Sequence, residues 1–203
     1  MNLILGSQSP RRRELLERMG LDFRVLTAEI DETKFETEDP EASVRRICEA
    51  KARAVARAAR SASGGESPEP LILSADTIVV LEGKILGKPH SEAQAGAMLR
   101  SLSGREHQVF TAFTLYRPGV GREPETHCEK TWVRFRALTE AEIAAYVATG
   151  EPMDKAGAYG IQGRGAMLVE GIRGDYFTVV GLPVCALAQA LKRYGIDPLE
   201  PEP

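Results

Sequence analysis

The apolar positions of the chain fall into short runs separated by polar, glycine-marked turns. Met1 to Leu5 predicts a buried strand. Gly6 to Ser9 then turns into a helix with Ser9 as N-cap, Pro10 as first residue, Leu15, Leu16 and Met19 as apolar face, and Gly20 as its stop. LDFRVL (21–26) predicts a second strand. Pro40 opens a long helix in which Val44, Ile47, Cys48, Ala54, Val55 and Ala58 recur near helical spacing, followed by SASGGESPEP, a surface connection. LILSADTIVVL (71–81) is the most strand-like run of the sequence.

Glu82-Gly83 turns the chain into KILGKP. A helix follows from Ser91, with Gln94 completing a capping box and Ala95, Met98, Leu99 and Leu102 running to a stop at Gly104. HQVFTAFTLYR and THCEKTWVRFRAL alternate as a pair of antiparallel strands joined by PGVGREPE. Thr139 with Glu142 caps a further helix ending near Gly150, followed by the glycine-rich loop MDKAGAYGIQGRG, a strand MLVEGI and a helix over PVCALAQALKRYG. No internal repeat is present, and 197–203 reads as a loose tail on a single domain spanning 1–203.

Composition narrows the classes. A length of 203 residues with 43% hydrophobic residues is ample for a core, and a net charge of -3 argues against a general nucleic-acid or membrane-surface binder. No run of apolar residues is long enough to span a membrane and the N-terminus lacks a signal-peptide pattern, so a soluble cytoplasmic protein is expected. Cys48, Cys128 and Cys185 are widely spaced, which suggests core or semi-buried thiols and not a disulfide or zinc framework. The three histidines stand in no metalloprotease setting, and no serine elbow or Walker loop occurs. Carboxylates and cations are left to carry chemistry.

Arg11, Arg12 and Arg13 stand at the positive end of a helix dipole, each disfavoured there by roughly 0.3 to 1 kcal/mol if exposed. That cost points to an anion at the helix start, where Arg11 and Arg12 would grip phosphate oxygens bidentately. Asp76 lies inside an apolar strand, where an ionised carboxylate needs a partner. It either turns the chain at a strand end or faces a cleft, with the Thr77 hydroxyl beside it. Glu32 follows a predicted strand in an acidic loop that is either solvated or part of a site. Lys51 lies on the long helix, surface or site, and Lys88 is fixed by Pro89. Two separated carboxylates, the arginines and these lysines suit a divalent cation, Mg²⁺ or Mn²⁺, with a polyphosphate. Gln162, between glycines, offers a donor and an acceptor side by side, matching the edge of uracil or thymine.

Taken together and in order, GSQSPRRRELL, IDET, SADTIVV, GKP and DKAGAYGIQG resemble the Maf family of nucleoside triphosphate pyrophosphatases, from Leu3 to about Ile196. The resemblance implies an α/β fold with an elongated mixed sheet flanked by helices and a cleft between two lobes, of the Maf/Ham1-like, anticodon-binding-like kind. It implies metal-dependent hydrolysis of a nucleoside triphosphate to monophosphate and pyrophosphate, and it suggests a homodimer. SADT with DKAGAYGIQG is similar to the dTTP/UTP branch, including modified pyrimidine nucleotides, whereas the 7-methyl-GTP branch has Asp-Gln in place of Asp76-Thr77. Carried over, Asp76 is the proton acceptor and a metal ligand with Glu32. Arg11, Thr77 and Gln162 mark base choice, and Ser7, Arg12, Lys51 and Lys88 line the site. Arg13 has no counterpart role. The alternatives implied by the family are a 7-methyl-GTP-type pyrophosphatase and a non-catalytic nucleotide-binding regulator of septum formation and cell division, the second of which would leave the triphosphate intact.

Overall fold

Strand β1 (Leu3–Leu5) is wholly buried and runs into helix α1 (Pro10–Arg18), whose Ser9 cap accepts the Arg12 amide proton. The computed structural model describes residues 2–35, 39–63, 69–119 and 123–200. Strand β2 (Arg24–Val25), a 3-10 turn at Glu32–Phe35 and helix α2 (Pro40–Ser63) follow. Next come β3 (Leu71–Leu81), β4 (Lys84–Leu86), α3 (Glu92–Leu102), β5 (Glu106–Tyr116), β6 (Glu125–Phe135) and α4 (Glu140–Val147). Three 3-10 turns between Glu151 and Leu168 lead to β7 (Val169–Arg173), α5 (Tyr176–Val180) and α6 (Val184–Lys192).

Among the described residues seven strands form one mixed sheet in the order β2-β1-β3-β5-β6-β7, with β4 on β3. β1 pairs parallel with both β2 and β3, while β3–β4 and β6–β7 are antiparallel. The α/β class and the mixed sheet flanked by helices are therefore as expected. Among the described residues no helix is long and apolar enough to cross a membrane.

The chain divides into two compact units. The first comprises Met1–Asp76, Ala112–Cys128 and Gly181–Pro203, the second Thr77–Thr111 and Glu129–Val180, so β3, β5 and β6 each run from one unit into the other. The first has a core of Ile4, Ile72, Ala52, Val55, Ala56 and Ala59, in which α2 packs its small residues on β1 and β3. The second has a core in which Leu99, Leu102, Val133, Phe135 and Ile143 are fully or almost fully buried. Burying each such side chain stabilises by about 1.5–3 kcal/mol relative to exposure.

Several element boundaries differ from expectation for identifiable reasons. β2 is two residues and not six, since only Arg24 and Val25 pair, with Ile4 and Leu5 of the short β1. The Gln94 side chain accepts from the His90 amide, one residue before the cap, so α3 has half of its expected capping box while Thr139–Glu142 forms a whole one. α5 is absent from the apolar pattern because it is a single short turn. Asp175 holds it by accepting from both the Thr178 amide (2.6 Å) and hydroxyl (2.9 Å). The beginning of the expected loose tail is tied down, since Asp197 pairs with Lys192 at 2.7 Å and accepts from the Leu199 amide. Met1, the middle of SASGGESPEP (64–68), residues 120–122 of the β5–β6 connection and 201–203 lie outside the described residues.

Candidate active site

The turn after β1 has to pass close against the core. The Gly6 amide bonds to the Leu73 carbonyl at 2.7 Å, and a Cβ there would stand 3.1 Å from Val55 Cγ2. This close approach delivers Ser7 to the beginning of α1, where its oxygen accepts from the Ser9 amide (3.3 Å) and from Arg12 Nη1 (3.0 Å).

Arg12 is buried, at 9% exposure. Its Nε donates to the Gly181 carbonyl at 2.8 Å and its Nη1 to the Ala75 carbonyl at 2.7 Å as well as to Ser7. Three guanidinium protons are thus committed to protein oxygens. A phosphate cannot take those protons, so neither bidentate edge of the Arg12 fork, Nε–Nη2 or Nη1–Nη2, is offered whole to a phosphate. Instead it joins α1 to the strand residue before Asp76. Burial lowers its pKa, opposed chiefly by attraction to Asp76, which locates that carboxylate within its field. Arg11 is half-buried in the same first turn. Arg13 makes an exposed pair with Glu17 at 3.0 Å.

Asp76 ends the buried part of β3 within the first unit. Its Oδ1 meets Lys51 Nζ at 2.6 Å, and the same ammonium meets Glu32 Oε1 at 2.7 Å. Side-chain exposure is 15% for Asp76, 20% for Lys51 and 51% for Glu32, so the pair is largely sheltered and the third member faces water. Lys51 comes from α2, three and four residues after Cys48 and Ile47 and four before Val55, all buried, which puts its stem on the apolar face of the helix. Burial pulls its pKa down, but Asp76 and then Glu32 more than offset this, so it is raised and the lysine stays charged. Removing one partner from such a sheltered pair leaves an uncompensated charge.

Beneath this cluster Cys48 contacts the Ser74 carbonyl at 3.4 Å and the Ala112 carbonyl at 3.5 Å. Burial pushes its thiol up to about 11, so it is a neutral core group.

Thr77, Lys88 and Gln162 belong to the second unit. Thr77 Oγ1 lies 2.9 Å from Thr111 Oγ1, and Thr111 donates its single hydroxyl proton to the Thr178 carbonyl at 2.7 Å. Thr77 must therefore be the donor in the Thr77–Thr111 bond, which leaves its oxygen as an acceptor. Lys88 is exposed beside the buried Pro89, and the preceding Gly87 carbonyl accepts from the Gly157 amide at 3.0 Å. Gly157 takes φ +68, and a Cβ there would lie 2.9 Å from Val79 Cγ1, so the glycine permits this contact of loop and strand. Gln162 is half-buried, with extended backbone, directly before the 3-10 turn Gly163–Leu168.

The structure therefore brings Ser7, Arg12, Glu32, Lys51 and Asp76 together in the first unit. It hangs Thr77, Lys88 and Gln162 on the second, Thr77 being the chain neighbour of Asp76. Sequence reasoning missed Thr111, Tyr146 and Glu151, which support Thr77 and the Gln162 loop. The signal available for Thr111 was a hydroxyl between the apolar pairs Val109-Phe110 and Ala112-Phe113, one that Thr114 on the same strand shares. Among the described residues no trio of His, Cys, Asp or Glu is grouped to hold a metal.

Comparison with known proteins agrees in extent with the span of these motifs. The family model described as Maf-like protein matches residues 2–194. A dTTP/UTP pyrophosphatase of Moorella thermoacetica is 52% identical over 195 residues, 96% of each chain. The protein of that name from Geobacillus sp. is 49% identical over 193 residues, covering 95% of this chain and 98% of its own, and that from Symbiobacterium thermophilum is 48% identical over 193 residues, covering 95% and 94%. A match that runs through both units and takes in every one of the residues placed above leaves no part of the site outside it, and the chain belongs to the Maf family.

Proposed function

We propose that this protein hydrolyses dTTP and UTP to the nucleoside monophosphate and pyrophosphate, acting on free nucleotides in the cytoplasm. Full-length relatives at 48–52% identity carry that activity in their names. The observation in the structure that favours hydrolysis over mere binding is the sheltered Asp76 carboxylate, fixed through Oδ1 by Lys51 and beside the field of buried Arg12. A regulator that only gripped phosphates would need cations at the anion site but no oriented carboxylate among them.

In the proposed reaction, water attacks the α-phosphorus in line with the departing pyrophosphate. A new P–O bond forms, the bond from the α-phosphorus to its bridging oxygen breaks, and Asp76 takes the proton of the water. Lys51 holds that carboxylate in one orientation and supplies positive charge where phosphate charge accumulates. Ser7 accepts two hydrogen bonds through its oxygen, which leaves its own proton for a phosphate oxygen. Arg11 offers its charge to the phosphates from the same first turn of α1, and Arg12 sets the positions of Ser7 and of the strand at Asp76 while adding its field.

The donor set suits a divalent metal. Two carboxylates, Asp76 and Glu32, converge on a single positive charge, and a hard cation characteristically takes one or two protein carboxylates together with substrate phosphates. Bound there by Asp76 and Glu32, the cation would supply neutralisation of phosphate charge and acidification of a water.

Base selection falls to Arg11, to Thr77, which donates to Thr111, and to the carboxamide of Gln162. The test is incubation with UTP, dTTP, CTP, GTP or 7-methyl-GTP and a divalent cation, followed by product analysis. Pyrophosphate with UMP and dTMP is expected. Unchanged UTP identifies a binder, and orthophosphate with UDP refutes the assignment of the bond that breaks.

A further inference from the structure

We infer that Tyr146 and Glu151 act as positioning residues for nucleotide choice, by clamping both ends of the short loop that carries Gln162. The inference rests on the reading of Gln162 as a base-recognising residue. Tyr146, on α4, accepts the Gly160 amide at 3.3 Å and donates its own proton to Glu151 Oε1 at 2.9 Å. The Glu151 carboxylate in turn accepts the amides of Arg164 (3.1 Å) and Gly165 (3.0 Å). One side-chain pair thus holds the backbone two residues before Gln162 and two and three residues after it.

The glycines of the loop are shaped to this clamp. A Cβ at Gly165 would overlap the Gly160 carbonyl oxygen and stand 2.7 Å from the Tyr146 hydroxyl. One at Gly163, where φ is +63, would stand 3.1 Å from Glu151 Oε2. Lys155 adds a third tie: its ammonium bonds to the Glu151 carbonyl oxygen at 2.7 Å, and its stem lies where a Gly160 Cβ would go. Burial favours a neutral Glu151, yet the Gly165 amide, the Tyr146 hydroxyl and the Arg164 amide outweigh it and keep the carboxylate ionised, while burial holds the proton on Tyr146. A bound pyrimidine gains two directional bonds from Gln162 only if the carboxamide is held near the right place, and small misplacements of such groups are costly.

The experiment compares Gln162→Ala, Tyr146→Phe and Glu151→Gln by the ratio of kcat/KM for dTTP to that for GTP, and by competitive inhibition by inorganic pyrophosphate, which carries no base. The ratio is expected to fall on the order of tenfold in all three, with pyrophosphate affinity unchanged. Adding Tyr146→Phe to Gln162→Ala should lower the ratio no further. If Gln162→Ala alone keeps the wild-type ratio, the role of Gln162 falls and the inference with it. If Gln162→Ala lowers the ratio but Tyr146→Phe and Glu151→Gln do not, only the clamp is overturned. A general loss of activity and of pyrophosphate affinity at constant ratio likewise overturns it, since that is what plain destabilisation would produce.

Discussion

His107 stands on β5 with 1% of its surface exposed, and its ring faces Phe135 and Tyr159 edge-on at centroid distances of 5.1 and 5.3 Å. Nε2 bonds with the Tyr159 hydroxyl at 2.8 Å, while Nδ1 is buried with no partner. An imidazolium would place a second N–H against apolar surroundings with no acceptor, and burial pushes the pKa down from 6.5 to about 4. The folded protein therefore holds His107 neutral in a range where the unfolded chain binds a proton. Because the unfolded state then binds more protons, stability falls as pH drops from 6.5 towards 4. The full linkage is ~3 kcal/mol, of which ~2 kcal/mol falls between pH 7 and pH 5. The perturbation is His107→Gln, which retains a polar group for Tyr159 and does not titrate. Urea unfolding of both proteins at pH 7 and pH 5 should show the wild type losing ~2 kcal/mol more than the variant over that interval. Equal losses in the two proteins would mean that His107 does not carry the pH dependence, because every other titrating group is common to both.

Arg12→Lys removes a fork that serves the Gly181 and Ala75 carbonyls and Ser7 at once, and one ammonium cannot reach all three. A loss of about 2–3 kcal/mol in urea unfolding is expected. Gly157→Ala puts a methyl group 2.9 Å from Val79 Cγ1 at a φ of +68 and should cost about 1–3 kcal/mol by the same measurement. In the native protein a thiol reagent at mildly alkaline pH should modify exposed Cys185 quickly and buried Cys48 only on unfolding, as read by mass spectrometry of the labelled peptides.

What was legible in the sequence is what depends on neighbours along the chain. Ser9 and Pro10 announce α1 because capping is a matter of three or four residues, and Asp76 stands out because eight of the eleven residues of β3 are apolar. Lys51 was half-legible. Its place in the stripe of Ile47, Cys48 and Val55 marks a lysine on the wrong face of its helix, but its partners lie 19 and 25 residues away on other elements and spacing does not predict them. Arg12 shows the opposite limit. Its charge at a helix start pointed to an anion, whereas three of its protons satisfy oxygens that the fold itself leaves bare, one of them 169 residues away. The Tyr146–Glu151 clamp was hidden for a similar reason, since a tyrosine inside an apolar helix face reads as core until its hydroxyl is placed.

In the proposed reaction Asp76, held by Lys51 beside Arg12, takes the proton from the attacking water. This role is tested most directly by single-turnover release of pyrophosphate from dTTP by Asp76→Asn at saturating divalent cation, with unfolding followed in parallel. A fall in rate on the order of 10² or more, with the fold intact, is predicted. Release at close to the wild-type rate would contradict it.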